Sequence, residues 1–328
     1  MECIKNGKNY LIPTKNWLEP IGKLFPDELK SENIVLLGKL IKKEKVIIKI
    51  TTKIEKKLVI FDKILKYEPN FIYTYCAFNC DEDRNAIVTE YKNTESFCNN
   101  NPTHYQQITL EIIKRYNSGS LENFINSLNM NEFTNILKQL ILSQINVFEK
   151  YGFLHNDLHL GNILTEITND NNYELKYIIK GKEIIHLTRF QIVISDFDRS
   201  ISYDPEVYNK YNKNFMDYNP NEIEKCTYDI EANLLDNIVN SIKGCCELLN
   251  VSLFNDIKNK LDNYLKNDVY YIEQHNSVQK ILRNYYKKRY DYNTFKNKTL
   301  TIVIIIVNRI YTLISNDKKE LTAGLSSI

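Results

Sequence analysis

Cysteine, histidine, glycine and proline are the residues this chain uses least informatively, and each shortage closes off a class of protein. The seven cysteines (Cys3, Cys76, Cys80, Cys98, Cys226, Cys245 and Cys246) are scattered. Their odd number fits no closed disulfide set, and no pair of Cys-x-x-Cys units offers a zinc site. Reduced thiols in a cytosol-like, cytoplasmic compartment are the reading this supports. Three of the five histidines, His104, His186 and His275, stand alone without metal-ligand spacing, so they read as surface or packing residues. Net charge is only +2 in 328 residues. Lys and Arg are dense between 280 and 298, among Tyr285, Tyr286, Tyr290 and Tyr292, which reads as a solvated helical face; no nucleic-acid partner is expected. The N-terminal residues carry no signal-peptide apolar core. The longest apolar run, 300–307, stops at Asn308 and Arg309, so a buried helix and no membrane partner are expected. Nine Gly and seven Pro against abundant Asn, Ile, Lys and Tyr point to AT-rich coding, and weaken any turn assignment that rests on Asn alone.

What remains is organised in two parts. Ile34-Val35-Leu36-Leu37 and Val46-Ile47-Ile48-Lys49-Ile50, joined by a polar segment, read as a β-hairpin. Ile54, Leu58, Phe61, Ile64 and Leu65 repeat at helical spacing. Phe71-Ile72-Tyr73-Thr74-Tyr75 and the run 108–113 read as further strands, with a polar loop or insertion over roughly 79–106. Beyond Gly119 the pattern turns helical. Phe133, Ile136, Leu137, Leu140, Ile141, Ile145 and Phe148 form one broad face, and Gly152 suits a left-handed cap. Residues 173–185 alternate like a ribbon, and 222–328 look mainly helical. The fold class expected is α+β: a five-stranded sheet with one helix in 1–113, then a larger, mainly helical part in 114–328 with an inserted ribbon near 169–190.

The chemistry concentrates in His155-Asn156-Asp157-Leu158-His159-Leu160-Gly161-Asn162 and, some thirty residues on, Ile194-Ser195-Asp196-Phe197-Asp198. One carboxylate can accept a hydroxyl proton, while an amide and a second carboxylate can hold Mg²⁺ on a nucleotide. The first stretch resembles the catalytic loop of the protein-kinase-like superfamily, His-x-Asp with an Asn five residues later. Val46-Ile47-Ile48-Lys49 is similar to that family's Val-Ala-Ile-Lys strand. Trp17-Leu18-Glu19-Pro20-Ile21-Gly22 resembles the first strand of casein-type and vaccinia-related kinases. The resemblance implies a bilobal kinase fold and ATP/Mg²⁺-dependent transfer to a Ser/Thr hydroxyl of a protein substrate. Asp157 would be the base, Asn162 and Asp196 the metal ligands, and Lys49 the phosphate contact, with Glu55 as its acidic partner. Gly22 would approach the nucleotide, and Ile113 and Lys114 would bond the adenine at a hinge. Gly119-Ser120-Leu121 after that hinge favours a protein acceptor. His155 becomes a packing and hydrogen-bonding residue.

The departures are as informative. No Gly-x-Gly-x-x-Gly follows Gly22, so residues 25–33 must cover phosphate by other means. Asn156 replaces the Arg that docks a phosphorylated activation loop. His159 replaces a Lys, and Asp198 replaces the last Gly of Asp-Phe-Gly. The short activation segment is similar to that of haspin-like and large-DNA-virus kinases. Asp229 or Asp236 would brace the catalytic loop. Asp157-Leu158-His159-Leu160-Gly161-Asn162 is also the form found in aminoglycoside and choline kinases, which leaves a small-molecule acceptor open; the missing glycine loop leaves open a catalytically dead binding module.

Overall fold

Val46 and Ile48 alternate with Lys45, Ile47 and Lys49, the period that turns one side of a strand into a core, and both apolar side chains are fully buried. The strand belongs to the first of two compact units in the computed structural model, which describes residues 4–6, 9–11, 18–23, 33–40, 45–51, 56–80, 108–116, 118–167, 173–211, 233–247 and 252–315. One unit comprises Met1–Tyr67 with Ile72–Arg115, the other Glu68–Phe71 with Tyr116–Ile328. Strands dominate the first and helices the second, an α+β organisation.

In the first unit β1 (Ile4–Asn6) and β2 (Asn9–Leu11) make a small ribbon that the sequence did not announce. The five-stranded antiparallel sheet runs β3-β4-β5-β7-β6, from β3 (Leu18–Lys23), β4 (Asn33–Leu40), β5 (Lys45–Thr51), β6 (Thr74–Cys80) and β7 (Ile108–Lys114). Helix α1 (Lys56–Leu65) packs on β6 and β7, burying Leu58, Phe61 and Leu65. Strand β6 starts at Thr74, later than the apolar run from Phe71 suggests. Phe71 instead bridges to Ile194 and packs its ring on Phe153 and Phe197 in the second unit. Trp17, Glu55, the phosphate-cover segment 25–32, most of the expected insertion (81–107) and Asp229 lie outside the described residues.

The second unit is built around α3 (Met130–Tyr151), which follows the short α2 (Leu121–Phe124). Asn129 and Glu132 close a capping box at the start of α3, satisfying two amides that the first turn leaves open. Gly152 ends it at φ 59°, and a Cβ there would stand 2.6 Å from the Asp204 amide nitrogen, so both conformation and space demand glycine. Between Phe133 and Phe148 nearly every residue of α3 is buried. Against it lie β8 (Phe153–Leu154), β9 (Ile163–Ile167) paired with β12 (Phe190–Ile194), and the ribbon of β10 (Tyr173–Ile179) and β11 (Lys182–Thr188). Strand β13 (Ile201–Ser202) pairs with β8 and leads into α4 (Pro205–Tyr211). A buried polar knot locks the ribbon down. Tyr177 donates to Asn70 Oδ1, Asn70 donates to Gln139 Oε1 at 2.8 Å, and Gln139 donates to the Phe190 carbonyl at 2.6 Å. This knot explains why 68–71 belongs to the second unit.

Helices α5 (Leu234–Glu247), α6 (Ser252–Asn267), α7 (Val269–Tyr286) and α8 (Tyr292–Ser315) complete it. Helix α8 is long and apolar enough to cross a membrane by length and composition alone. It packs on α3, α5, α6 and α7, and buries Leu300, Val303, Ile306, Val307 and Ile310, as a core helix does.

Candidate active site

Two strand pairs set the geometry of the loop between β8 and β9. Pairing of β8 with β13 fixes its start, and pairing of β9 with β12 fixes its end, so Asn162 and Ser195 emerge side by side. The Ser195 amide and hydroxyl both donate to the Asn162 carbonyl, at 2.9 and 3.1 Å. Asn162 Nδ2 donates to the Asp157 carbonyl at 2.9 Å, which leaves Oδ1 as the amide atom able to ligate. Asp157, Asn162 and the residue before Asp196 are thereby tied together within one unit.

Beneath them lies His155, buried, with Nε2 2.9 Å from the Ser195 carbonyl and Nδ1 accepting from the Asp157 amide at 3.3 Å. Those partners require the Nε2–H tautomer. Burial pushes the His155 pKa below its ordinary value, against the opposing pull of the Ser195 carbonyl, Asp196 and Asp157, so the ring is a neutral clamp. Phe197 is buried among Phe71, Phe153 and His155, which anchors the chain just after Asp196. Asn156 and Asp196 both adopt left-handed backbone, at φ 60° and 68°. This costs a non-glycine residue of order 1–3 kcal/mol when it is held there by its surroundings. Asn156 precedes the candidate base and Asp196 is itself a candidate metal ligand, the kind of position where such strain clusters.

Asp157 itself is about a third exposed, with Arg199 Nη1 3.6 Å from its Oδ1. At that exposure the ion pair adds little stability, but it keeps a cation beside the carboxylate. His159 turns its ring back to accept from the Gly161 amide at 3.1 Å, capping the 3₁₀ turn Leu160–Asn162.

Among the described residues the brace under the loop is Asn237 rather than Asp236. Asn237, on α5, exchanges two hydrogen bonds with Asn156: its Oδ1 accepts from the Asn156 amide at 2.8 Å, and its Nδ2 donates to Asn156 Oδ1 at 3.0 Å. Asp236 points elsewhere, to His275 Nε2 at 2.8 Å, Asn233 Nδ2 at 2.7 Å and Gln279 Nε2 at 3.2 Å. In an Asn-rich chain Asn237 gave no signal; the one available was its place on the buried face of an amphipathic helix.

In the first unit, Lys49 on β5 stands opposite Glu111 on β7. Its Nζ is 3.8 Å from Glu111 Oε2, and both side chains are largely buried. Asp62 from α1 reaches the same place, accepting from Thr74 Oγ1 at 3.0 Å and facing the Glu111 carboxyl. Burial first, and Glu111 second, hold the Asp62 carboxyl well above the ordinary carboxylate range. The sequence reads Glu111 as part of a strand and gives Asp62 no role; the i, i+4 spacing of Leu58, Asp62 and Lys66 on an amphipathic helix is the available clue. Gly22 lies in β3 beside a register shift against β4. Strand β7 runs through Ile113 and Lys114, the residues expected at a hinge, and the Lys114 amide donates to the Tyr73 carbonyl at 2.9 Å. That N–H is committed to the unit's own backbone.

Among the described residues no cluster of three or more His, Cys, Asp or Glu could hold a metal ion. Asn162 and Asp196 supply two hard oxygen donors, which fits Mg²⁺ that takes its other ligands from phosphate and water. No protein-family model matches the chain, and a search of curated proteins finds no match.

Proposed function

We propose that the chain is an ATP- and Mg²⁺-dependent phosphotransferase of protein-kinase-like architecture, acting on a protein Ser/Thr hydroxyl. The observation that carries this reading is the locked loop: Asp157 and Asn162 joined by a side-chain hydrogen bond, fastened through Ser195 to Asp196, over a buried neutral His155.

On this reading Asn162 and Asp196 hold Mg²⁺, which when bound neutralises charge on the nucleotide's β- and γ-phosphates. Asp157 accepts the proton of the acceptor hydroxyl as that oxygen bonds to the γ-phosphorus. The bond from γ-phosphorus to the bridging oxygen breaks, and ADP departs. Lys49 brings an ammonium against the phosphates. Most of the catalysis is positioning and charge stabilisation, not covalent chemistry. Arg199, beside Asp157, would favour acceptors carrying negative charge next to the hydroxyl.

The test is transfer of label from γ-radiolabelled ATP to a mixture of protein acceptors, with a metabolite mixture in parallel. Protein labelling that needs Mg²⁺ and drops roughly 10²- to 10⁴-fold in Asp157→Ala, the range for losing a general base, supports the reading. Undiminished transfer by Asp157→Ala overturns it, and label appearing only in metabolites reassigns the acceptor.

A further inference from the structure

Asp62 and Glu111 bring two carboxyl groups together beside Lys49. Asp62 is 2% exposed and Glu111 is 4% exposed. Two ionised carboxylates in contact inside a sheet–helix core repel each other, and protonation of one relieves the repulsion. The geometry says where the proton sits. Lys49 Nζ lies 3.8 Å from Glu111 Oε2, which favours charge on Glu111. Asp62 Oδ1 already accepts from Thr74, whereas Asp62 Oδ2 is buried with no hydrogen-bond partner. Two ionised carboxylates have no hydrogen between them. One proton on Oδ2 turns an unsatisfied contact into an O–H donating to Glu111.

We propose that Asp62 acts as a neutral carboxylic acid that fixes Glu111, and that Glu111 in turn holds the Lys49 ammonium in position to meet phosphate. The proposal rests on the phosphotransferase reading for what Lys49 does, though not for the acid pair itself. It assigns the acidic partner of Lys49 to a neighbouring strand, with Asp62 in the second turn of α1 behind it. Among the described residues, the groups facing Asp62 are Lys49 from β5, Glu111 from β7 and Thr74 from β6. Burial holds its proton tightly, with Glu111 adding to the effect and Lys49 opposing it. Asp62 is a positioning residue: it works through Glu111 and touches no reacting atom.

Asparagine can copy a protonated aspartic acid here, because its Oδ1 can accept from Thr74 while its Nδ2 donates to Glu111. Alanine can copy neither bond. The experiment uses the full chain as wild type, Asp62→Asn and Asp62→Ala. The infrared carbonyl band of a protonated carboxylic acid is recorded near neutral pH, and KM for Mg²⁺–ATP and kcat are measured across pH. The expected band is present in wild type and absent in Asp62→Asn. Asp62→Ala is expected to raise KM for ATP about tenfold, the effect of losing a hydrogen bond to a charged group, with kcat changed less. Asp62→Asn should restore KM to within about twofold, on the same reasoning. Wild-type KM should climb once pH rises far enough for Asp62 to lose its proton, while the Asn variant stays level. A band that Asp62→Asn leaves unchanged overturns the acid pair. Asn and Ala variants that are equally impaired, or equally unimpaired, overturn the positioning role. A wild type that shows the Asp62-dependent band yet neither binds nor uses Mg²⁺–ATP removes the phosphotransferase reading and with it Asp62's connection to a nucleotide.

Discussion

At Asn237 two hydrogen bonds hold the backbone and side chain of Asn156, the residue just before the proposed base. Asn237→Ala removes both and leaves a part-buried amide unsatisfied, so it should cost about 1–3 kcal/mol in denaturant unfolding. It should also lower kcat more than KM, because the base is displaced while the nucleotide contacts stay. An unchanged kcat with lowered stability would reduce Asn237 to a structural residue. Asp62 makes a separate prediction about pH. Its folded-state pKa is raised above the ordinary value of 3.8. From that value upward the folded chain keeps a proton that the unfolded chain has released, so this group's contribution to stability falls as pH rises toward the folded pKa. Melting temperatures of Asp62→Asn should lack that decline, and parallel pH profiles for the two proteins would contradict it. Single residues were legible where chemistry and spacing coincide, as in Asp157 and Asn162 on one loop. Asp62 and Asn237 were not, because a polar residue on an amphipathic helix gains its role only from the strand or loop packed against it.

Elements were legible where the apolar period is long. The capping box, buried face and left-handed end of α3 follow from Asn129, Glu132, the repeat from Phe133 to Phe148, and Gly152. Gly152→Ala tests the end of that helix. A Cβ 2.6 Å from a backbone nitrogen at φ 59° should destabilise by roughly 2 kcal/mol or more, since strain and overpacking add. Strand β6 was misplaced because Phe71-Ile72-Tyr73 is apolar for a different reason: Phe71 serves the aromatic cluster around Phe197, and periodicity cannot distinguish the two. The β10–β11 ribbon carries a buried His186 whose pKa is lowered to about 4 by burial and by Lys138. The ordinary value is 6.5, so between pH 6.5 and 4 the unfolded chain takes up a proton that the folded chain refuses. Stability is therefore lost on acidification, by up to about 3 kcal/mol. His186→Phe should flatten that acid limb in thermal melts; an unaltered limb would place the titrating group elsewhere.

The whole molecule divides into a strand-rich unit carrying Lys49, Glu111 and Asp62, and a helical unit carrying Asp157, Asn162 and Asp196. The α+β class was readable because strands and helices segregate along the chain. The role of 68–71 was not readable, since Asn70 and Phe71 act through partners more than sixty residues away. The central proposal is that the chain uses Mg²⁺–ATP, with Lys49 meeting its phosphates and Asp196 its metal. An ATP analogue with an amine-reactive acyl-phosphate end, followed by mass spectrometry, tests it most directly. The account predicts that Lys49 is acylated in the presence of Mg²⁺, that excess ATP protects it, and that Asp196→Asn, in a chain that still folds, abolishes the labelling. Labelling of Lys49 that ignores both Mg²⁺ and Asp196, or that falls on other lysines alone, would contradict it.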